Sequence, residues 1–338
     1  MFFMSPRSAF ILMGSILLFP AGRVSSYLRF NGNHTEKVFS DSSVYQGEKG
    51  RSEGYTAITR YEDVFIAAGS DGRIDIISSS GTVIKSEKFP GEKFNSILSC
   101  NKMVVAAGDN GTIMISTDRG TFRKADSGTT KNINSLTLFN GIIISGADHG
   151  EIVSGDGTGF FKKTDLSLKG NIVSVSARTS DCYGVTDEGE IIHSVDGIKW
   201  DIIDFNKVYS GYYKPCYFTK VLATEHRIAV AGIRNDRSPV LMFSNRGNVW
   251  TERTLDYTDD QGMREMLGDR PYDMIYDDSE DLFYLVCSKG KVLQLPSCSH
   301  CNKMAVISTA DLEGISSNDN IIMIVGENFL IKAVSLKW

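Results

Sequence analysis

A glycine recurs every 39 residues in the first half of the chain, and this period constrains the fold more than any other feature of the sequence. The glycines stand at positions 72, 111, 150 and 189, so the three successive intervals are each 39 residues. Repeats of about 20–50 residues are typical of solenoids and propellers, in which each repeat is one supersecondary unit. The chain is therefore expected to be an array of such units.

Each unit has the same order of strand and turn signals. A run rich in β-branched residues, such as 104–108, precedes the glycine, and an alternating stretch that contains Ile113 and Ile115 follows it. Alternation with a period of two indicates a half-buried strand. A pair such as Asn110-Gly111 supplies the positive φ that a tight hairpin needs. The units are therefore predicted to consist of antiparallel strands, with no convincing helical periodicity.

Later copies of the unit follow at longer spacing. Gly290 lies 101 residues beyond Gly189, and Asn328, 38 residues further on, is expected in the glycine's place of a last unit. Turns are thus expected near residues 72, 111, 150, 189, 239, 290 and 328. Seven such units predict an all-β fold, a seven-bladed β-propeller with four-stranded antiparallel blades. The chain stops before the outermost strand of the last blade, so an N-terminal strand at residues 36–39 is expected to complete that blade and close the ring.

A second turn in the unit combines serine, aspartate, glycine and an aromatic residue in fixed order. Its clearest copies are Ser116, Asp118, Gly120 and Phe122, and Ser194, Asp196, Gly197 and Trp200. The carboxylate is expected to accept backbone N–H bonds and the aromatic ring to pack between sheets, so both sets are predicted to be structural rather than catalytic. A weaker copy ends at Trp250 and has Arg246 where aspartate is expected.

These turns resemble the Asp-box of sialidase-like β-propellers. The order of residues 189–200 is also similar to that of the seven-bladed photosystem II assembly/stability factor family. The second resemblance implies a lumenal binding protein without known catalysis, whereas the first implies a glycoside hydrolase. Sialidases carry a Phe/Tyr-Arg-Ile-Pro motif near the N-terminus, and the nearest string here, Tyr27-Leu28-Arg29-Phe30, does not match it.

The N-terminal 26 residues have the pattern of a secretory signal. Arg7 precedes an apolar stretch at residues 9–19, and small residues follow up to Ser26. The apolar stretch is too short for a membrane span, which needs about 20 residues. The mature chain is therefore expected to be one propeller domain, 27–338, secreted or within an organelle lumen, without membrane insertion. Asn33 and Asn110 begin N-glycosylation patterns.

Charge and cysteine content narrow the partners and the compartment. The net charge of −5 and the absence of a Lys/Arg run argue against a nucleic-acid partner. No spacing typical of a metal site occurs, so neither a metal nor another cofactor is expected. Six cysteines allow fifteen pairings. A local disulfide between Cys298 and Cys301 is favoured over a redox site, and Cys182 could pair with Cys216.

Candidate binding residues lie on the predicted face that carries the glycine turns. Acids of these turns, with one histidine, are expected to ring the channel mouth: Asp71, Asp109, Asp148, His149, Asp187 and Glu188. Two insertions, 206–220 and 256–272, break the period and contain Tyr209, Tyr212, Tyr213, Arg264 and Arg270. Tyrosine and arginine in loops on a rigid scaffold suit an interaction surface. The sequence therefore favours a monomeric, non-catalytic propeller that binds a protein or glycan, with an Asp-box glycoside hydrolase as the alternative.

Overall fold

The computed structural model of the protein describes residues 53–118, 120–258, 263–296 and 302–335. The predicted signal segment, the predicted closing strand at 36–39, Asn33 and the Cys298–Cys301 pair lie outside these residues. Within them, no helix is long and apolar enough to cross a bilayer.

The first three blades each contain four antiparallel strands, in chain order from the innermost to the outermost. Blade one is β1 (Tyr55–Tyr61), β2 (Val64–Gly69), β3 (Arg73–Ile77) and β4 (Val83–Lys88). Blade two is β5 (Phe94–Cys100), β6 (Met103–Gly108), β7 (Ile113–Ser116) and β8 (Arg123–Ala125). Blade three is β9 (Ile133–Phe139), β10 (Ile142–Ala147), β11 (Glu151–Gly155) and β12 (Lys162–Asp165).

The next three blades repeat this order, with the two insertions between them. Blade four is β13 (Ile172–Ala177), β14 (Cys182–Thr186), β15 (Glu190–Ser194) and β16 (Asp201–Asp204), followed by helix α1 (Phe205–Val208). Blade five is β17 (Cys216–Ala223), β18 (Ile228–Arg234), β19 (Pro239–Ser244) and β20 (Thr251–Glu252), followed by a hairpin of β21 (Asp256–Thr258) and β22 (Arg264–Met266). Blade six is β23 (Pro271–Asp277), β24 (Leu282–Cys287), β25 (Lys291–Pro296) and β26 (Lys303–Val306).

Blade seven has three strands among the described residues, β27 (Leu312–Ser317), β28 (Ile321–Gly326) and β29 (Leu330–Ser335). Three tight turns, Asp109–Gly111, Asp148–Gly150 and Ser288–Gly290, join second to third strands, and the central residue of each has a positive φ. The predicted all-β, seven-bladed propeller is confirmed. The strand expected to complete blade seven stays a prediction, because residues 36–39 are not described.

One apolar layer fills each gap between neighbouring blades. Successive side chains of a strand point to opposite faces of its sheet, so each blade contributes to two layers. In β2, Ile66 packs against blade two, whereas Phe65 packs against Met323 of blade seven. Seven such layers occur among the described residues, and that between blades seven and one closes the ring.

The innermost strand of every blade has a β-bulge at the same place. The strand register skips one residue in each, namely Thr56, Asn95, Asn134, Val173, Thr219, Tyr272 and Glu313. A bulge leaves its extra residue out of the ladder and re-aims the side chain. All seven bulged residues line the central channel. The fold therefore presents one side chain per blade to the channel axis.

Several bulged side chains also bind the next blade. Asn134 Nδ2 donates to Ile172 O of blade four at 3.1 Å and to Asp148 Oδ1 of its own blade at 2.9 Å. Asn95 repeats the pattern with Ile133 O at 3.2 Å. Thr56 and Thr219 donate to carbonyls of the following innermost strand through their hydroxyls. The blades are thus joined around the channel by hydrogen bonds as well as by apolar layers.

Replacing Asn134 with valine should destabilise the protein by about 1–3 kcal/mol, because Asp148 and Ile172 O each lose a partner in a partly buried place. Thr137→Val, on the same strand and half-buried, should change the unfolding free energy by less than about 0.5 kcal/mol. Urea unfolding measures both. Equal destabilisation by the two variants would show that the Asn134 bonds contribute nothing.

The period-39 glycines serve two purposes, backbone conformation and close approach. Asn110 and Gly111 both have positive φ, 54° and 70°, as a type I′ hairpin requires. A Cβ on Gly111 would also lie 2.0 Å from Thr129 O, in the link to the next blade. In blade seven the corresponding residue is Phe329, with φ 56° and 39 residues beyond Gly290. The glycine's place in that turn is therefore Phe329, not Asn328.

Gly111→Ala tests the close approach separately from the φ requirement. Gly141 also has positive φ, 79°, but a Cβ added to it would meet no atom within 4 Å. Gly141→Ala should cost about 1–2 kcal/mol for the left-handed conformation alone. Gly111→Ala should cost a further 1–3 kcal/mol or so, because backbone must move. Thermal and urea unfolding of the two variants give the difference; no difference would refute the close-approach role.

The suggested pairing of Cys182 with Cys216 is wrong. Both thiols are free and buried. Cys182 packs in the layer between blades three and four, whereas Cys216 packs in the layer between blades four and five. The sheet of blade four lies between these two layers, so no bridge can join the thiols. Burial raises the pKa of the Cys216 thiol to about 11, which keeps it protonated near neutral pH.

Candidate functional site

In the Asp-box-like turns, the aspartate carboxylate accepts hydrogen bonds from backbone N–H groups of the turn. Asp196 Oδ1 accepts from the backbone N–H groups of Ile198 and Lys199, each at 2.8 Å, and from Ser194 Oγ at 3.1 Å. Gly197 has a φ of 73°. Trp200 packs against the apolar layer between blades three and four. These contacts give each residue of the motif a structural role.

The turn in blade two has the same acceptor. Asp118 Oδ1 accepts from Gly120 N at 3.1 Å, from Thr121 N at 2.8 Å and from Ser116 Oγ at 3.0 Å. Gly120 does not take a positive φ, unlike Gly197. In both turns, backbone N–H bonds to the charged form lower the pKa of the aspartate.

The stability contributed by these carboxylates should depend on pH. Because their pKa values are lowered in the folded state, the contribution is present above the unfolded pKa of 3.8 and is lost as pH falls below it. The double variant Asp118→Asn, Asp196→Asn should be less stable than the wild type at neutral pH. The difference in unfolding free energy between the wild type and the double variant should narrow as the pH falls from about 5 to about 2.

Urea unfolding over a pH series measures this gap. Asp201→Asn is the control, because the Asp201 side chain is 91% exposed and lies outside the turn. A gap for the double variant that stays constant with pH would contradict the hydrogen-bonding role.

Most of the acids predicted to ring the channel mouth accept hydrogen bonds from asparagine residues of the inner part of the ring. Asp109 Oδ1 accepts from Asn95 Nδ2 at 3.0 Å. Asp187 accepts from the Asn171 backbone N–H at 2.8 Å and from its Nδ2 at 2.9 Å. Asp148 binds Asn134, as described above. These carboxylates hold the innermost strands in place.

The remaining members of the predicted ring differ in exposure. Asp71 is nearly buried and pairs with Lys88 Nζ at 2.9 Å. His149 and Glu188 are exposed and line an open cleft of about 550 Å³ between blades three and four. Only these two of the predicted ring therefore present free surface.

The channel mouth itself is a polar cavity of about 290 Å³. Beside the bulged residues it is lined by Lys220 and Asp273, whose Nζ and Oδ1 are 2.6 Å apart. Asp273 Oδ2 also accepts from Ile315 N at 3.1 Å. Arg270, predicted in the second insertion, lies 5.5 Å above the Tyr272 ring at this mouth. The cavity is therefore lined by side chains that already have intramolecular partners.

Sequence reasoning did not identify Asn95, Asn134, Lys220 or Asp273 as channel residues. Asn95 and Asn134 are themselves 39 residues apart, so a comparison of non-glycine positions in the repeat could have found them. Lys220 is the last residue of the first insertion and Asp273 directly follows the second, where the period is lost.

The first insertion packs against blade five rather than over the channel. Tyr209 OH donates to Asn248 O at 2.7 Å, and Tyr213 OH donates to Trp250 O at 2.8 Å. Both rings are half-buried against Phe205, which α1 places in the apolar layer between blades four and five. Tyr212, between them, is 84% exposed. The three tyrosines therefore split into two anchors and one exposed ring.

The second insertion packs against blade six. Leu255 and Leu267 are buried in the apolar layer between blades five and six. Arg264 pairs with Asp256 of the same hairpin, with its side chain 71% exposed. Met266 is 64% exposed. The residues of the two insertions are thus divided: Thr219, Lys220, Arg270 and Tyr272 line the channel mouth, whereas Tyr212, Arg264 and Met266 are exposed and are not part of its lining.

A protein metal site needs several donor side chains that converge on one point. Among the described residues, no group of three or more His, Cys, Asp or Glu side chains is placed to hold a metal ion.

The comparisons with known proteins support the β-propeller fold and indicate no function. No known protein family matches the sequence, and no curated protein does. Among solved structures, the computationally designed Ika8 protein has a TM-score of 0.60 with this chain at 10% sequence identity. The match covers 85% of this chain and 98% of the designed one. At that identity the likeness shows the fold alone, so function must be argued from the chain's own surface.

Proposed function

We propose that this propeller is a non-catalytic binding scaffold that recognises a protein partner through the first insertion, with Tyr212 as the central contact. The observation that carries the proposal is the 84% exposure of Tyr212 between two anchored tyrosines. An aromatic ring exposed on an ordered segment loses little conformational freedom on binding.

The surroundings of Tyr212 support a protein partner. Val208, at the end of α1 and four residues before Tyr212, is 59% exposed. Lys207 and Lys214, which are also exposed, precede Val208 and follow Tyr213 in the sequence. An apolar centre with a charged rim is typical of protein interfaces, and tyrosine is enriched among the residues that dominate their binding energy.

The rest of the proposal follows from the sequence. The N-terminal signal pattern supports a location in the secretory route, and the Asp-box-like turns are structural members of the repeat. Hydrolysis of glycosides is less favoured, because Asp187 and Asp273 at the channel mouth are held by Asn171 and by Lys220. A general acid needs a carboxyl group free to exchange its proton with the substrate.

Tyr212→Ala should abolish partner binding without unfolding the ring. Phe160→Ala is the matched control, because Phe160 is 77% exposed but belongs to blade three. Affinity capture from the native secretory fluid, with mass spectrometry, should recover a partner with the wild type and Phe160→Ala. Both variants should unfold within about 0.5 kcal/mol of the wild type.

A partner that binds Tyr212→Ala as well as the wild type would refute the assignment of the site. Turnover of aryl glycosides that is lost in Asp187→Asn or Asp273→Asn would favour the hydrolase instead. Tyr213→Phe is a further control for the anchors: it should cost about 1 kcal/mol of stability through the lost bond to Trp250 O.

A further inference from the structure

The Asp-box-like turn of blade five has no aspartate but keeps its shape. Residues 244–250 align one for one with residues 194–200, and Arg246 takes the place of Asp196. Gly247 N donates to Ser244 Oγ at 2.8 Å, as Gly197 N does to Ser194 Oγ. The φ angles of the two glycines are 74° and 73°. The backbone of the turn is therefore the same without the carboxylate.

Two backbone N–H groups in this turn lack the acceptor that their counterparts have. In blade four the N–H groups of Ile198 and Lys199 both donate to Asp196 Oδ1. The corresponding groups in blade five belong to Asn248 and Val249, which are exposed and have no side-chain acceptor in the described part of the chain. Adjacent N–H groups that converge in a turn form an anion-binding concavity.

The same turn borders a cleft with an excess of positive charge. The cleft has a volume of about 620 Å³ and is lined by Arg227, Arg246 and Arg253 together with Asn248 and Val249. Arg246 is exposed and forms no ion pair among the described residues. The one carboxylate in the lining, Glu252, is already paired with Arg234 at 2.5 Å.

We propose that this cleft binds the carboxylate of an acidic ligand through the two backbone N–H groups whose counterparts in blade four bind the Asp196 carboxylate. The ligand oxygen accepts from the N–H groups of Asn248 and Val249, and the Arg246 guanidinium provides the charge-assisted contact. The site is separate from Tyr212, although Tyr209 OH binds the carbonyl of the same Asn248. The shared chemistry is a carboxylate, from either a small acid or an acidic peptide.

Amide NMR of the full mature chain tests the site directly. N-acetyl-aspartate and an Asp-rich peptide are titrated separately, and sodium chloride at matched ionic strength is the control. The Asn248 and Val249 amides should shift and saturate with the carboxylate probes, with a Kd on the order of 1 mM for the small acid. Tenfold tighter binding of the peptide would identify an acidic peptide as the source of the bound carboxylate. Equal affinity per carboxylate for the two probes would identify a small acid instead.

Arg246→Asp is the decisive variant, because it restores the intramolecular acceptor. It should abolish the shifts and raise the melting temperature, while Arg246→Gln should retain binding weakened about tenfold. Tyr212→Ala should bind the probes like the wild type, which separates this site from the proposed partner surface. Absence of saturable shifts in the wild type, or equal shifts in Arg246→Asp, would overturn the proposal.

Discussion

The packing of each blade against the next through a single apolar layer is the constraint on which the rest of the structure depends. A strand such as β2 divides its side chains between two layers, Phe65 toward blade seven and Ile66 toward blade two. No blade can bury both of its faces alone, so stability comes only from the closed array. Every other feature of the molecule has to be compatible with four-stranded sheets that pack face to face around an axis.

The bulge in each innermost strand follows from the same geometry. Sheets that converge on an axis leave little space, and the bulge turns one side chain per blade toward the channel. The protein uses these positions largely for cohesion: Asn95 and Asn134 bind neighbouring carbonyls, and Asp109 and Asp148 orient them. Because many of the channel's polar groups bind within the ring, the two binding surfaces that we propose lie outside the channel, at the first insertion and at the altered turn of blade five.

Much of the fold could be predicted from the sequence, because its signals are local. Gly111 is required because its turn needs a positive φ, and Asp196 because its turn needs a hydrogen-bond acceptor. Both requirements arise within a few residues of chain, and the repeat makes the same sequence pattern recur in several blades. The candidate site could not be predicted in the same way. Whether Tyr212 or Tyr213 is exposed depends on the carbonyl of Trp250, 37 residues later and in another blade. The proposed Cys182–Cys216 pair failed for a similar reason, since sequence proximity of two blades does not reveal which face of a sheet a thiol occupies.

The sequence by itself determined the number of blades, the positions of their turns and the structural role of the Asp-box-like motif, because each rests on short-range backbone geometry repeated at a constant period. The tertiary structure alone decided which polar groups already have partners and which remain exposed. That decision depends on contacts between blades, in which Asn134 binds the Ile172 carbonyl and Tyr213 binds the Trp250 carbonyl, while Arg246 and Tyr212 are exposed to solvent.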